Sequence, residues 1–168
     1  MQKIAIVIAF NGFRDEEFLV PYKILARDFE IEIFSTEKGV ATGKLGAKVD
    51  VHNELKDFLP EVYAAIVLVG GPGGHCLIGY QPLVSAISAI YGENKLIAAI
   101  CMAPLILGDM GLLKGKKSTV FIGDKDRLIS YGAEYTGNLV ENDGNIITAS
   151  GPDAAEEFAK KIKEYMNG

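Results

Sequence analysis

The sequence predicts an α/β fold built on a doubly wound, mostly parallel sheet with a small antiparallel excursion. Three observations carry that expectation. Near-continuous apolar runs, the mark of strands buried on both faces, alternate with segments of helical apolar spacing. Several runs lead straight into glycine-rich or helix-starting residues, the strand–turn–helix order of a parallel sheet. The chain has 168 residues, 49% of them apolar, which suits one domain over 1–168 with a sizeable core.

The elements follow in order. Lys3 to Phe10 is the first buried strand. Glu16 to Arg27 carries Phe18, Leu19, Tyr22, Leu25 and Ala26 at helical spacing, with Asp15 placed to act as N-cap. Glu30 to Phe34 alternates as a strand, and residues 36–52 read as the antiparallel excursion. Ala64 to Val69 is a buried strand ending in Gly70-Gly-Pro-Gly-Gly74. Pro82 to Tyr91 is a helix, Leu96 to Ile100 a strand, and Pro104 to Met110 the start of the next helix. Ser118 to Phe121 reads as a short strand and Asp124 to Ser130 as a helix. Asn142-Asp143-Gly144 is a turn signal joining strands Asn138–Glu141 and Asn145–Ala149. Asp153 to Met166 is a charged amphipathic helix.

Composition excludes several classes of function. The net charge is −5 and the cations are scattered, so a nucleic-acid surface is not expected. The longest apolar runs fall far short of the ~20 residues that span a bilayer, so no membrane partner is expected. No basic leader precedes a long apolar stretch, which points to the cytoplasm. Cys76 and Cys101 are the two cysteines, and His52 and His75 the two histidines; none falls in zinc-ligand spacing, so no metal is expected. The glycine loop lacks the Gly-Lys-Ser/Thr of a Walker loop and the spacing of a dinucleotide fingerprint, so no cofactor is expected either.

Leu96-Ile-Ala-Ala-Ile-Cys101-Met-Ala-Pro104 is the strongest chemical signal. A buried strand runs into a cysteine and then a helix with proline in its first turn, as in a nucleophile elbow. Helix-end N–H groups would favour the Cys101 thiolate, and the Met102 N–H would face an oxyanion on a bound carbonyl. The alternative is that Cys101 is a small buried apolar residue. Gly71 could bring a second N–H close to the same atom, although the loop also reads simply as a tight turn. Both features lie beyond the carboxyl ends of strands, where open α/β sheets bind ligands. The acidic run Asp15-Glu16-Glu17 reaches the same edge. It suits a helix's first turn, yet a carboxyl there could also share a proton with Cys101. Whether Glu16 or Glu17 does so is open at this point.

Together these segments resemble the ThiJ/PfpI superfamily over nearly the whole chain. Glu17-Phe-Leu-Val-Pro21 is similar to its Glu-x-x-x-Pro, whose Glu hydrogen-bonds the cysteine. Gly70-Gly71 resembles its oxyanion loop and Ala98-Ala-Ile-Cys101 its elbow, while Lys125-Asp126 and Ser150-Gly151-Pro152 resemble recurrent segments near the carboxyl end. The resemblance implies a flavodoxin-like fold, a homodimer or larger homo-oligomer, and a small carbonyl substrate. It departs at the histidine: Met102 and Phe121 stand where protease-like and deglycase-like members carry one. His75, at a position where PfpI-type members carry a Glu that reaches a neighbouring subunit's site, is a candidate substitute base or an ordinary loop histidine. Cys76 is a candidate resolving thiol or an ordinary loop cysteine.

Three functions compete. The first is a cofactor-free glyoxalase or deglycase acting on α-oxoaldehydes, with Cys101 as nucleophile, Glu17 as proton shuttle, and Gly71 and Met102 holding the oxyanion. The second is a redox sensor with an oxidisable Cys101. The third is a cysteine peptidase or amidase, which the missing histidines disfavour.

Overall fold

The computed structural model describes residues 1–168. Its strands are β1 (Lys3–Val7), β2 (Asn11–Phe13), β3 (Glu30–Ser35), β4 (Gly39–Gly43), β5 (Lys48–Val51), β6 (Asn53–Glu54), β7 (Ala65–Leu68), β8 (Leu96–Ile100), β9 (Lys117–Ser118), β10 (Glu134–Tyr135), β11 (Val140–Asp143) and β12 (Ile146–Ala149). Its helices are α1 (Asp15–Leu25), α2 (Gln81–Gly92), α3 (Pro104–Asp109), α4 (Lys125–Ser130) and α5 (Ala155–Asn167). No helix is long and apolar enough to cross a membrane.

The main sheet has seven strands in the order β11-β12-β8-β7-β1-β3-β6. All pairings are parallel except that of β11 with β12. The run β3-β1-β7-β8-β12 is the flavodoxin-like order, in which the chain winds outward from β1 in both directions. Right-handed crossovers in opposite directions set α1 and α2 on opposite faces. Accordingly α1 packs on α5, whereas α2 packs on β7 and β8. The inner strands read as unbroken apolar runs because both faces are covered: Ile4 to Val7, Ala65 to Leu68 and Leu96 to Ile100 are all buried. Each fully buried Ile or Leu contributes about 1.5–3 kcal/mol relative to an exposed one.

The excursion is a separate sheet, β2-β4-β5, with β4 and β5 antiparallel as expected. Its third member was not foreseen. Lys3–Phe10 is not one long strand: pairing in the main sheet stops at Val7, and Asn11–Phe13 joins β4 instead. Two further expectations are corrected. Asp15 does not cap α1; Arg14 occupies that position without a side-chain cap bond. The Asp15 carboxylate instead accepts the Leu45 and Ala47 N–H groups at 2.8 and 2.7 Å, fastening the β4–β5 turn onto the start of α1. Nor does a strand reach Phe121: β9 ends at Ser118, and the Phe121 N–H bonds the Cys101 carbonyl at 2.8 Å. The closing hairpin turns one residue later than its signal, with Asp143 still paired to Ile146 and Gly144 at φ 59°.

The glycine loop is packed from below by β2. A Cβ at Gly73 would sit 1.8 Å from the Asn11 carbonyl oxygen, a contact that only backbone movement relieves. Gly73→Ala is therefore expected to cost about 2–3 kcal/mol. Urea denaturation tests this; a midpoint equal to that of the wild type would mean the loop yields freely.

Candidate functional site

Cys101 follows β8 directly and adopts φ 64°, one of two non-glycine residues with positive φ. Such a conformation costs about 1–3 kcal/mol and persists only where neighbours enforce it. Here the Cys101 N–H is held by the Ala149 carbonyl at 2.9 Å and its own carbonyl by Phe121. The side chain is thereby turned out of the sheet and left half-buried, as a free thiol.

Glu17 lies in the first turns of α1 and is fully buried. Its Oε1 accepts the Gly70 N–H at 3.1 Å. Its Oε2 is equally buried and has no hydrogen-bond partner, and the Cys101 side chain is a polar neighbour of the carboxyl. Gly70 is the spacer: a Cβ there would lie 2.7 Å from both Glu17 Oε1 and Cys101 Cβ. Glu16 points elsewhere, forming a two-pronged ion pair with Arg14 at 3.0 and 2.9 Å. Pro21 lies one turn beyond Glu17 and has no N–H to give its carbonyl, so the helix carries the substitution of a missing bond next to the buried acid.

Burial pushes the Glu17 carboxyl up to about 7, against the opposing pull of Cys101, the Gly70 N–H and Arg14. Burial, and then the charge of and hydrogen bond to Glu17, push the Cys101 thiol up to about 12. The backbone N–H groups of Met102 and Gly71 act the other way, since a positive N–H dipole beside the sulfur favours its charged form. Carboxylate and thiolate disfavour each other's charge, so the pair sheds its first proton at about 7, from Glu17, and above that keeps the second on the sulfur.

Gly71 takes φ 112°, where a Cβ would meet the Arg14 nitrogen at 2.3 Å and the Gly12 oxygen at 2.6 Å. The Met102 side chain turns away into the core, and a Cβ on Gly74 would touch its sulfur at 2.6 Å. Phe121 stands 44% exposed at the rim. Neither Met102 nor Phe121 supplies a base. His75 lines the cavity, exposed, with Nδ1 3.1 Å from the Pro72 oxygen. Cys76 is exposed, bonds the Gly73 oxygen at 3.1 Å and does not line the cavity. Both cysteines are free thiols.

The cavity above Cys101 measures about 250 Å³, a size for a small metabolite. Sequence reasoning missed Arg14, Lys44 and Asp124 in its wall. Arg14 immediately precedes the acidic run Asp15-Glu16-Glu17. Lys44 and Asp124 carry no sequence signal, since each reads as an ordinary charged turn residue. No three His, Cys, Asp or Glu side chains form a group that could hold a metal.

Because the folded Glu17 carboxyl is raised from 4.5 to about 7, the folded state binds more protons than the unfolded state between those values. Folding stability from this group is thus present in full below pH ~4.5 and lost as pH rises through about 7. The loss amounts to about 3 kcal/mol at most, and Glu17→Gln should flatten it. Urea titrations at stepped pH check this; equal slopes in the two proteins would show that Glu17 titrates normally.

Residues 2–165 match the model of the DJ-1/PfpI family. The chain is 38% identical to an uncharacterized protein of Methanocaldococcus jannaschii, over 95% of this chain and 80% of the other. It is 35% identical to the deglycase PfpI of Pyrococcus furiosus, over 93% and 97%. Among solved structures, a ThiJ/PfpI domain protein from Brachyspira murdochii superposes with a TM-score of 0.95 at 25% identity, over 98% and 96% of the two chains. The DJ-1beta protein of Drosophila melanogaster superposes with a TM-score of 0.90 at 27% identity, over 98% and 89%. The agreement of sequence and fold along almost the entire length establishes that the chain belongs to the DJ-1/PfpI family.

Proposed function

We propose that this protein is a cofactor-free glyoxalase of the deglycase type, acting on small α-oxoaldehydes or their protein adducts, with Cys101 as nucleophile and Glu17 as proton shuttle. One observation carries the reading: a fully buried carboxyl lies beside a thiol on a strained turn, and the backbone N–H groups of Gly71 and Met102 favour the charged form of its sulfur. The deglycase names of relatives in Pyrococcus furiosus and Pyrococcus horikoshii support it.

The chemistry follows for methylglyoxal. Cys101 Sγ adds to the aldehyde carbon, while the thiol proton passes through Glu17 to the new hydroxyl, giving a hemithioacetal. Glu17, now a carboxylate, takes the hydrogen on that carbon as a proton and returns it to the neighbouring ketone carbon through an enediol. The first carbon is oxidised and the second reduced, leaving a lactoyl thioester. Water then displaces the sulfur and lactate departs, with Cys101 regaining its proton. One water is consumed and no external oxidant is needed. The Gly71 and Met102 N–H groups bind the oxyanion at each addition. A carboxyl held near 7 is suited to give and take protons at neutral pH. No histidine is required for these steps; His75 is at most an accessory base at the cavity wall.

A redox-sensing role is the second reading, favoured by the same two N–H groups, which would also bind the oxygens of a Cys101 sulfinate formed by peroxide. A peptidase ranks below both, since amide cleavage needs a base that also protonates a departing amine.

Lactate formation from methylglyoxal tests the first reading. Cys101→Ser should lower kcat/KM at least ~1,000-fold and Glu17→Gln about 100-fold or more. Wild-type kcat/KM should rise with pH through about 7, as Glu17 becomes able to accept a proton. Turnover unaltered by Cys101→Ser would reject the assignment. For the second reading, mild peroxide followed by mass spectrometry should add oxygen to Cys101 before the more exposed Cys76; the reverse order would count against sensing.

A further inference from the structure

One cation in the wall of the catalytic cavity has no partner. Lys44 lines the cavity together with Cys101, Glu17 and Met102. Its ammonium group enters no ion pair, whereas the other cation there, Arg14, is occupied by Glu16. The carboxyls that share the wall, Glu17 and Asp124, form no ion pair with Lys44 either.

The backbone beneath this free charge is firmly held. The Lys44 N–H bonds the Phe13 oxygen at 2.8 Å, and the Gly43 N–H bonds the Ala47 oxygen at 2.8 Å. The two N–H groups of Leu45 and Ala47 are fastened by Asp15, two residues before Glu17 on α1. Gly43 closes the junction, since a Cβ there would fall 2.6 Å from the Asp15 carboxyl. The turn that presents Lys44 is thus tied to the helix that presents the proton shuttle. A flexible cation on open surface carries little information. Lys44 is exposed, but its turn is braced and it lines the cavity of about 250 Å³ that also holds Cys101, so its unpaired charge favours anions at that cavity.

We propose that Lys44 is a specificity-determining residue that binds an anionic tail, a carboxylate or a phosphate, on an α-oxoaldehyde whose carbonyl lies at Cys101. The proposal rests on the glyoxalase-type reading above. Lysine presents a compact point charge that accepts either anion. A tail of a few carbons would reach from the reacting carbonyl to the ammonium group within the same cavity.

Two measurements test it. In the first, dioxovalerate, which gives hydroxyglutarate, and phosphohydroxypyruvaldehyde, which gives phosphoglycerate, are compared with uncharged methylglyoxal. The ratio of kcat/KM for either anion over methylglyoxal should fall about tenfold in Lys44→Met and recover in Lys44→Arg. In the second, calorimetry on the Cys101→Ser protein compares hydroxyglutarate and phosphoglycerate with lactate, and needs no turnover. The first two should bind about tenfold tighter, an advantage that Lys44→Met and high salt both remove. Whichever of the two binds tighter identifies the tail. Ratios and binding preferences unchanged by Lys44→Met overturn the proposal, and leave the glyoxalase reading intact if methylglyoxal is turned over. A wild-type protein inactive on every aldehyde removes the glyoxalase reading, and the binding experiment alone then decides on Lys44.

Discussion

A carboxyl and a thiol buried side by side cannot both carry a charge, and the rest of this structure is arranged around that constraint. Glu17 is fully buried, yet its one firm partner is a single backbone N–H, from Gly70. An isolated ionised carboxyl in such a place would be costly, and burial accordingly raises its affinity for a proton. Cys101 faces the opposite pressure from two sides. Burial and then the carboxyl raise it, and the Gly71 and Met102 N–H groups lower it. The proton therefore has two acceptable residences, and a reacting carbonyl that draws electrons from the sulfur shifts it from one to the other. Dryness raises both groups, and nearby N–H donors hold each of them back.

Topology explains why these groups meet. The sheet order reverses direction between β1 and β7, and the crevice at such a switch point lies beyond the strands' carboxyl ends. The segment after β1 brings Glu17, the segment after β7 brings Gly70 and Gly71, and the segment after β8 brings Cys101 and Met102. Three consecutive parallel strands thus deliver acid, spacer and thiol to one edge. The close approach is backbone against backbone. Gly70 leaves space for both side chains, and Gly71 and Gly73 let the loop lie directly on β2 and the start of α1. The short β2-β4-β5 sheet is part of the same device, since β2 supports the loop from beneath and the β4–β5 turn is fastened to α1 through Asp15.

Much of this was legible in the residue order. Parallel strands announce themselves as unbroken apolar runs, and an elbow nucleophile has to sit where such a run meets a helix. Cys101, Gly71, Met102 and the acidic segment are all adjacent to a strand end, so their meeting follows from the alternation of elements alone. What stayed hidden depends on contacts across long sequence separations. Asp15 reads as a cap because first-turn acids usually are, yet the Leu45 and Ala47 N–H groups, some thirty residues away, compete for its carboxylate more effectively than its own helix does. Phe121 reads as the end of a strand by its apolar neighbours, but its N–H is claimed by the Cys101 carbonyl. Glu16 and Glu17 are indistinguishable as letters. Their difference is a rotation of about 100° around α1, which sends one to Arg14 and the other into the core. Lys44 shows itself only when its turn is folded against the cavity.

The absent histidine is better understood through what occupies its places. Met102 follows Cys101, but its side chain is buried against Gly74, so only its backbone is turned to the thiol. Phe121 is at the rim and offers an apolar face, while its N–H braces the strained turn at Cys101. A histidine base beside the sulfur would take the thiol's proton and let it ionise ahead of substrate. Without one, the thiol stays protonated at rest, and the proton that leaves it has Glu17 as its available carrier. Such a site is poorly prepared to expel an amine, which demands a separate acid at the departing nitrogen. It is well prepared for a redistribution in which one proton leaves a carbon and returns to its neighbour, because one carboxyl within reach of both carbons is sufficient. The chemistry that fits is set by having a single mobile proton, and the buried Glu17–Cys101 pair is what limits it to one.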